Sequence, residues 1–360
     1  FSMPKTYKHL YHKIYNPLNI WQAYKQAAKG KRYKAPVAAF EYDLENHLFN
    51  IENELEDESY QPGGYHSFII QKPKRRLINA VPFRDRVVHH ALMNVIEPLF
   101  ERQFIFDSYA NRIGKGTHKA LDRTTHYLRR YKYVMHLDIR QFFPAIDHEI
   151  LLSILSRTIK DEKLMILVKK IISSGAGIQA SEYDQVFFSG DTLFSANRSR
   201  GLPIGNLTSQ NWANVYLNEL DQYVKRELKC RAYLRYVDDF LLFANDKKSL
   251  RIWRKEIISF LEKLRLTIHE NKAHLRPCHT GVSFLGFQVF PEYRRLKPAN
   301  GYAYQRRLKK MVELLRAEKI TEKDFQMRLQ SWINHADYGD TFGLRKSLLI
   351  NAGIYGGNDE

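Results

Sequence analysis

Residues 233–244 read YLRYVDDFLLFA, two adjacent aspartates inside an otherwise aromatic and aliphatic run. Aromatic and branched residues favour extended chain, and Asp is depleted there. The segment therefore predicts two short strands, about Ala232–Tyr236 and Phe240–Ala244, with Val237-Asp238-Asp239 at the turn. That geometry sets two carboxylates side by side at the lip of a buried hairpin. Such a pair repels itself unless a cation sits beside it. An ordinary hairpin turn, for which Asp is a common choice, is the other reading this segment allows.

The chain of 360 residues is long enough for two or three subdomains, each with its own core. No stretch approaches the roughly eighteen apolar residues of a membrane span, and the start of the chain lacks a secretion-signal pattern. A cytoplasmic protein is the expectation, with Cys230 and Cys278 as reduced, buried thiols, too few for a four-ligand zinc site. Lys+Arg of 57 against Asp+Glu of 39 leaves +18. An excess of that size favours a polyanionic partner, because each phosphate contact releases counterions. A membrane surface would attract the same charge, but no basic amphipathic helix with a strong apolar face is evident. Nucleic acid is the partner the composition favours.

Residues 1–60 read as helical and basic, with a turn at Lys29–Lys34 and a helix over Val37–Glu56. From residue 65 the pattern turns to strands, YHSFIIQ and LINAV, around the basic turn Lys72–Arg76. Four cations within five positions suit either a solvated tip or a grip on phosphate. Helical periodicity returns over 83–101, where Arg84 and Arg86 in the first turn oppose the helix dipole. The run YVMHLDIRQFFPAID predicts a strand, Tyr133–Leu137, that ends on Asp138, then a turn and a helix from about 147. A carboxylate at a strand end suits either a divalent ion or a helix cap. Residues 174–200 read as a β-containing connection, followed by helices near Thr208–Leu228 and 247–264. Strands are expected at 266–276 and 282–290, and helices over the last sixty residues.

Together these segments resemble reverse transcriptases, in the order and spacing that family uses. The family's palm motif matches Leu137–Phe143, and its aspartate pair matches Tyr236-Val237-Asp238-Asp239. The fingers motifs match Lys72–Leu77 and Arg84–Ala91, and the primer-grip hairpin matches Phe284-Leu285-Gly286-Phe287. The likeness implies an α+β right-hand polymerase: a basic N-terminal extension (1–60), fingers (61–130), palm (131–150 and 201–290), a fingers–palm connection (151–200) and a helical thumb (291–360). No maturase-type DNA-binding or nuclease domain is expected in that length.

One departure is informative. Most reverse transcriptases carry Pro-Gln-Gly where this chain has Pro203-Ile204-Gly205, followed by Asn206-Leu207-Thr208-Ser209-Gln210. An apolar residue, Gly, three residues and Ser-Gln resembles the reverse transcriptases of diversity-generating retroelements, as do Trp21–Tyr24 and Gly30-Lys31-Arg32. That group copies a template RNA with frequent errors at adenines, with a small basic accessory protein.

By the resemblance, Asp138, Asp238 and Asp239 are catalytic. They ligate two Mg²⁺ ions (Mn²⁺ as the alternative) with the Ile139 carbonyl beside them. Lys74 and Arg76 hold the dNTP triphosphate, Phe143 gates against a ribose 2′-hydroxyl, Ile204 lies at the nascent pair, and Lys272 protonates pyrophosphate. Gly205, Gln210, Phe284 and Gly286 are expected along the template and the primer or cDNA strand. Two alternatives stay open: a reverse transcriptase of an antiphage defence or retron-like system, and an RNA-binding scaffold with a degenerate site.

Overall fold

A computed structural model describes residues 5–72 and 74–354, with the backbone only at Leu193, Ala196 and Lys272. The N-terminal segment forms α1 (His12–Tyr15), α2 (Pro17–Ala28), α3 (Ala35–Tyr42) and α4 (Leu44–Glu56). Helix α2 starts where its sequence says it should: Pro17 takes the first helical position, and the Asn16 side chain accepts from the Leu18 N–H at 3.0 Å. The single helix expected over Val37–Glu56 is two. Asp43 leaves helical geometry at φ −128°, ψ 51°, and its carboxylate accepts from Asn46 Nδ2. Asp competes with the helix backbone in this way when it lies mid-run.

The hairpin β1 (His66–Ile70) and β2 (Arg76–Ala80) leads into α5 (Phe83–Glu101). Helix α6 (Thr117–Arg130), which the sequence reading left unassigned, precedes β3 (Tyr133–Asp138), α7 (Phe142–Ala145), α8 (His148–Thr158) and α9 (Glu162–Ser174). Then come α10 (Leu207–Arg226), β4 (Tyr233–Tyr236), β5 (Asp239–Ala244), α11 (Lys247–Lys263), β6 (His274–Pro277), β7 (Val282–Phe284), β8 (Phe287–Val289) and β9 (Arg294–Leu296). Helices α12 (Pro298–Arg316), α13 (Glu322–Ala336) and α14 (Phe342–Asn351) end the described chain. Three of the expected long helices thus lie within two residues of where periodicity put them.

The connection over 174–200 forms no sheet ladder; it makes two short 3₁₀ turns and one isolated bridge, Asp147↔Arg200. Ion pairs hold it instead: Arg198 on Asp147, Arg265 on Asp191 and Arg140 on Asp184. Its Ser, Gly and Asn residues favour turns over strands. The strand expected at 266–276 is likewise only β6, preceded by a 3₁₀ turn at Glu270–Lys272.

A four-stranded antiparallel sheet in the order β4-β5-β3-β6 is buried on both faces. Met135, Leu137, Phe240 and Leu242 point into the main core, with α5, α8, α9, α10 and the N-terminal helices. Val134, Leu241 and Phe243 point into a second core with Leu121 and Tyr127 of α6 and Phe284 and Phe287 of the β7–β8 hairpin. Double burial explains why these strands read as continuous apolar runs rather than alternating ones. Helices α12–α14 keep a third core, centred on Tyr304 stacked on Trp332 at 3.8 Å.

Candidate active site

Side chains alternate along a strand, so His136 and Asp138 share the face of Val134, the one covered by the second core. Register places Asp138 directly opposite Asp239, and Tyr236 opposite Asp239 on the other edge of β5. Asp239 is therefore the first residue of β5, leaving a two-residue turn, Val237-Asp238, in place of the three-residue turn expected. Val237 takes φ +57°, a region that suits Gly and strains a β-branched residue. The Ile139 N–H donates to the Asp238 carbonyl at 3.0 Å, and His269 N–H donates to the Asp138 carbonyl at 2.8 Å. The end of β3 is thus tied to the hairpin turn on one side and to the 266–269 segment on the other.

Asp238 is half-buried, and its carboxyl is pushed up to about 6, by burial first and then by the negative charges of Asp138 and Asp239, with Arg76 opposing. Two mutually repelling hard-oxygen donors fit a divalent cation, which Mg²⁺-type sites commonly hold through one or two carboxylates. Asp239, opposite Asp138, has its carboxylate hydrogen-bonded to His136 Nε2. Among the described residues no three of His, Cys, Asp and Glu converge into a metal-holding group. Of the three carboxylates expected here, Asp138 lies opposite Asp239 by register, Asp238 in the turn is repelled by both, and Asp239 is hydrogen-bonded to His136. His136 was missed from sequence, although its place two residues before Asp138 was the available signal.

The β1–β2 hairpin carries cations whose charge reaches this site. Arg76, exposed at the start of β2, acts on Asp238. Lys74 acts on Lys297, the residue before α12, whose ammonium is held below the ordinary lysine range by burial, against the pull of Asp239 and with Lys74 adding to the shift. Lys297 was also missed, since nothing local marks it. Arg75 is engaged elsewhere, by both oxygens of Glu182. Arg84 is bound to Glu54 and Asp85 and lies over the Tyr60 ring, and Arg86 Nε donates to the Val81 carbonyl. Both arginines of the α5 first turn are thus used inside the fold.

Phe143 is half-buried against the main core, edge-on to Phe142, and its carbonyl accepts from Leu202 N–H. The Ile204 carbonyl accepts from Asn79 N–H of β2 at 2.9 Å, which joins this loop to the β1–β2 hairpin. Gly205 follows at φ +115°, and a Cβ there would come within 3.1 Å of Ile78 Cγ2. Gln210 is half-buried in the first turn of α10. Phe284 is 1% exposed and meets His136 edge-on, so its ring supports the site from inside the second core instead of lining a groove. Gly286 makes the surface turn at φ +88°, its carbonyl accepting from Lys297 N–H and Asn300 Nδ2. The side chain of Lys272 and all of Pro73 lie outside the described residues.

An antiparallel sheet carrying paired carboxylates at one end, a basic hairpin above them and a separate helical cluster beyond define the right-hand polymerase fold. The family described as "Reverse transcriptase (RNA-dependent DNA polymerase)" matches residues 69–289, more than half of the chain. The chain belongs to that family of RNA-directed DNA polymerases. Protein YkfC of Escherichia coli (strain K12) is 27% identical over 285 residues, covering 68% of this chain and 71% of YkfC. The Group II intron-encoded protein LtrA of Lactococcus lactis subsp. cremoris is 23% identical over 337 residues, covering 75% of this chain and 54% of LtrA. The chain thus spans about half the length of that relative. Among solved structures, apo telomerase from Candida tropicalis aligns with a TM-score of 0.47 at 12% identity, covering 68% of this chain and 59% of that one. Among the described residues no helix is long and apolar enough to cross a membrane.

Proposed function

We propose that this chain copies a template RNA into cDNA by attack of a primer 3′-hydroxyl on the α-phosphate of a dNTP. The observation that carries the reading is the convergence of Asp138 and Asp238 at one end of the sheet, where the Ile139 N–H donates to the Asp238 carbonyl and the charge of Asp138 opposes ionisation of Asp238. Divalent ions held by these carboxylates and the Ile139 carbonyl would supply charge stabilisation at the attacking and leaving oxygens. Arg76 and Lys74 bind the triphosphate, guanidinium being suited to bidentate contact with phosphate. Phe143 offers an apolar ring with no partner for a ribose 2′-hydroxyl. The segments 61–130, 131–150 with 201–290, and 291–360 serve as fingers, palm and thumb.

Within this activity, Ile204 supports a low-fidelity, diversity-generating role, with a small basic accessory protein as partner. Its side chain makes no hydrogen bond, so it cannot report on the geometry of a nascent base pair as a glutamine could. Relatives named as intron-encoded favour a second reading, a reverse transcriptase carried by an intron-like element. Primer extension on a defined RNA template with dNTPs and Mg²⁺ tests the activity, with Asp238→Asn as control. DNA product from the wild type alone is expected, and no wild-type synthesis sinks the proposal. Sequencing that product separates the two roles: errors concentrated at template adenines support diversification, and even, rare errors support the intron-like reading.

A further inference from the structure

Arg235 sits in the middle of β4 with no exposed surface. A buried guanidinium is costly unless it is paired and fully hydrogen-bonded. Its Nε and Nη2 donate to the two oxygens of Asp221 on α10, at 2.8 and 2.7 Å, and Tyr233 Oη donates to the same carboxylate. Asn214 Oδ1 and Ser108 Oγ accept from it at 3.2 Å each. Its backbone is held as well, donating to the Asp107 carbonyl and accepting from Tyr109 N–H. With its charge neutralised, Arg235 makes one more bond: Nη1 donates to the Val237 carbonyl at 2.9 Å. Val237 is the residue in left-handed geometry, and the next residue is Asp238.

We propose that Arg235 is a positioning residue: anchored on Asp221, it holds the Val237 carbonyl and keeps the turn in the left-handed conformation that presents Asp238 to Asp138. A left-handed, β-branched residue tends to relax towards ordinary geometry, and at Val237 that relaxation would swing the following carboxylate away. The planar guanidinium binds a carboxylate along one edge and a carbonyl from another, which a single ammonium on a flexible stem does not reproduce. Charge neutralisation of Asp221 alone would be met by lysine; holding the turn would not. The inference rests on the polymerase reading only for its activity measurement.

The test uses the full chain carrying Arg235→Lys, Val237→Gly and both together. Gly adopts left-handed geometry without a steric penalty, so it relieves the strain that Arg235 restrains. In Arg235→Lys, amide hydrogen exchange over 236–240 is expected to rise. Its single-turnover extension rate at saturating dNTP should fall by roughly tenfold or more, while the KM for dNTP and template–primer affinity stay near wild type. Adding Val237→Gly should recover most of that rate and lower the exchange again. If Arg235→Lys does not fold, Arg235→Gln with Asp221→Asn replaces it, because that pair leaves no buried charge unpartnered. Unchanged exchange over 236–240, or a loss that Val237→Gly does not restore, overturns the proposal. If the wild type makes no DNA, the polymerase reading fails and the exchange measurements alone decide whether Arg235 holds the turn.

Discussion

His136 and Asp239, 103 positions apart in sequence, are hydrogen-bonded on the face of the sheet that also carries Asp138. The bond draws the Asp239 carboxylate along the strand, so His136 competes with any cation for it. His136→Phe should release that carboxylate while keeping an aromatic edge against Phe284. The Mg²⁺ concentration for half-maximal primer extension should then fall by about two- to tenfold, since one further carboxylate becomes available to the ion. An unchanged or higher Mg²⁺ requirement would show that the bond does not restrain Asp239.

Asp238 stands in the site at the expense of stability, because burial and the charges of Asp138 and Asp239 all oppose its ionisation. Asp238→Asn should abolish extension and, measured by thermal unfolding without divalent ions, melt no lower than wild type. A clear drop in melting temperature would mean that the carboxylate has a stabilising partner in the fold.

The arginines of the β1–β2 hairpin differ in their engagements. Arg75 is tied to Glu182, whereas Arg76 favours the ionised form of Asp238. Arg76→Ala should raise the KM for dNTP by about ten- to a hundredfold, the loss of one charge-assisted contact worth about 1.5–3 kcal/mol. Arg75→Ala should leave that KM near wild type. Equal effects in steady-state kinetics would erase the distinction.

Ile204 is joined to β2 through its carbonyl, so its side chain can be changed without breaking that contact. Ile204→Gln should lower misincorporation, most visibly opposite template adenine, each regained contact being worth about 1–3 kcal/mol of discrimination. Identical error spectra for both proteins on one RNA template would rule this out.

His89 and His90 on α5 are pushed down to about 3 and about 4, by burial first; His90 and Arg86 add to the shift at His89, and Lys31 and Arg86 to that at His90. Both therefore fold as neutral groups. In the unfolded chain they take up protons near pH 6.5, so the stability they contribute is full above that pH and is lost as pH falls towards their folded values. Each group adds a slope approaching about 1.4 kcal/mol per pH unit. Denaturant unfolding of His89→Gln at pH 7, 6 and 5 should show a distinctly flatter acid limb than wild type. Parallel curves would refute the assignment.

Much of the fold was legible because each cue lies within one segment. The apolar periodicity of α5, α10 and α11 and the change to short β-favouring runs in the β1–β2 hairpin need only a dozen neighbouring residues. The strand ending on Asp138 and the hairpin carrying Asp238 could be read in the same way. The connection over 174–200 was misread because its hold on the molecule comes from Asp147, Arg265 and Arg140, which are remote in sequence.

The sequence by itself determined which carboxylates stand at strand ends, how much positive charge surrounds them, and that Ile replaces Gln at position 204. Only the tertiary structure decided which of those groups meet. The β3–β5 register set Asp138 against Asp239, and a diagonal bond ties Asp239 to His136 as well. The buried guanidinium of Arg235 fixed the turn at Val237, and the start of α12 delivered Lys297 beside Lys74 and Asp239. Local propensity fixes a residue's place along its own element, while register and packing between distant elements fix its neighbours, and those neighbours set the chemistry of the site.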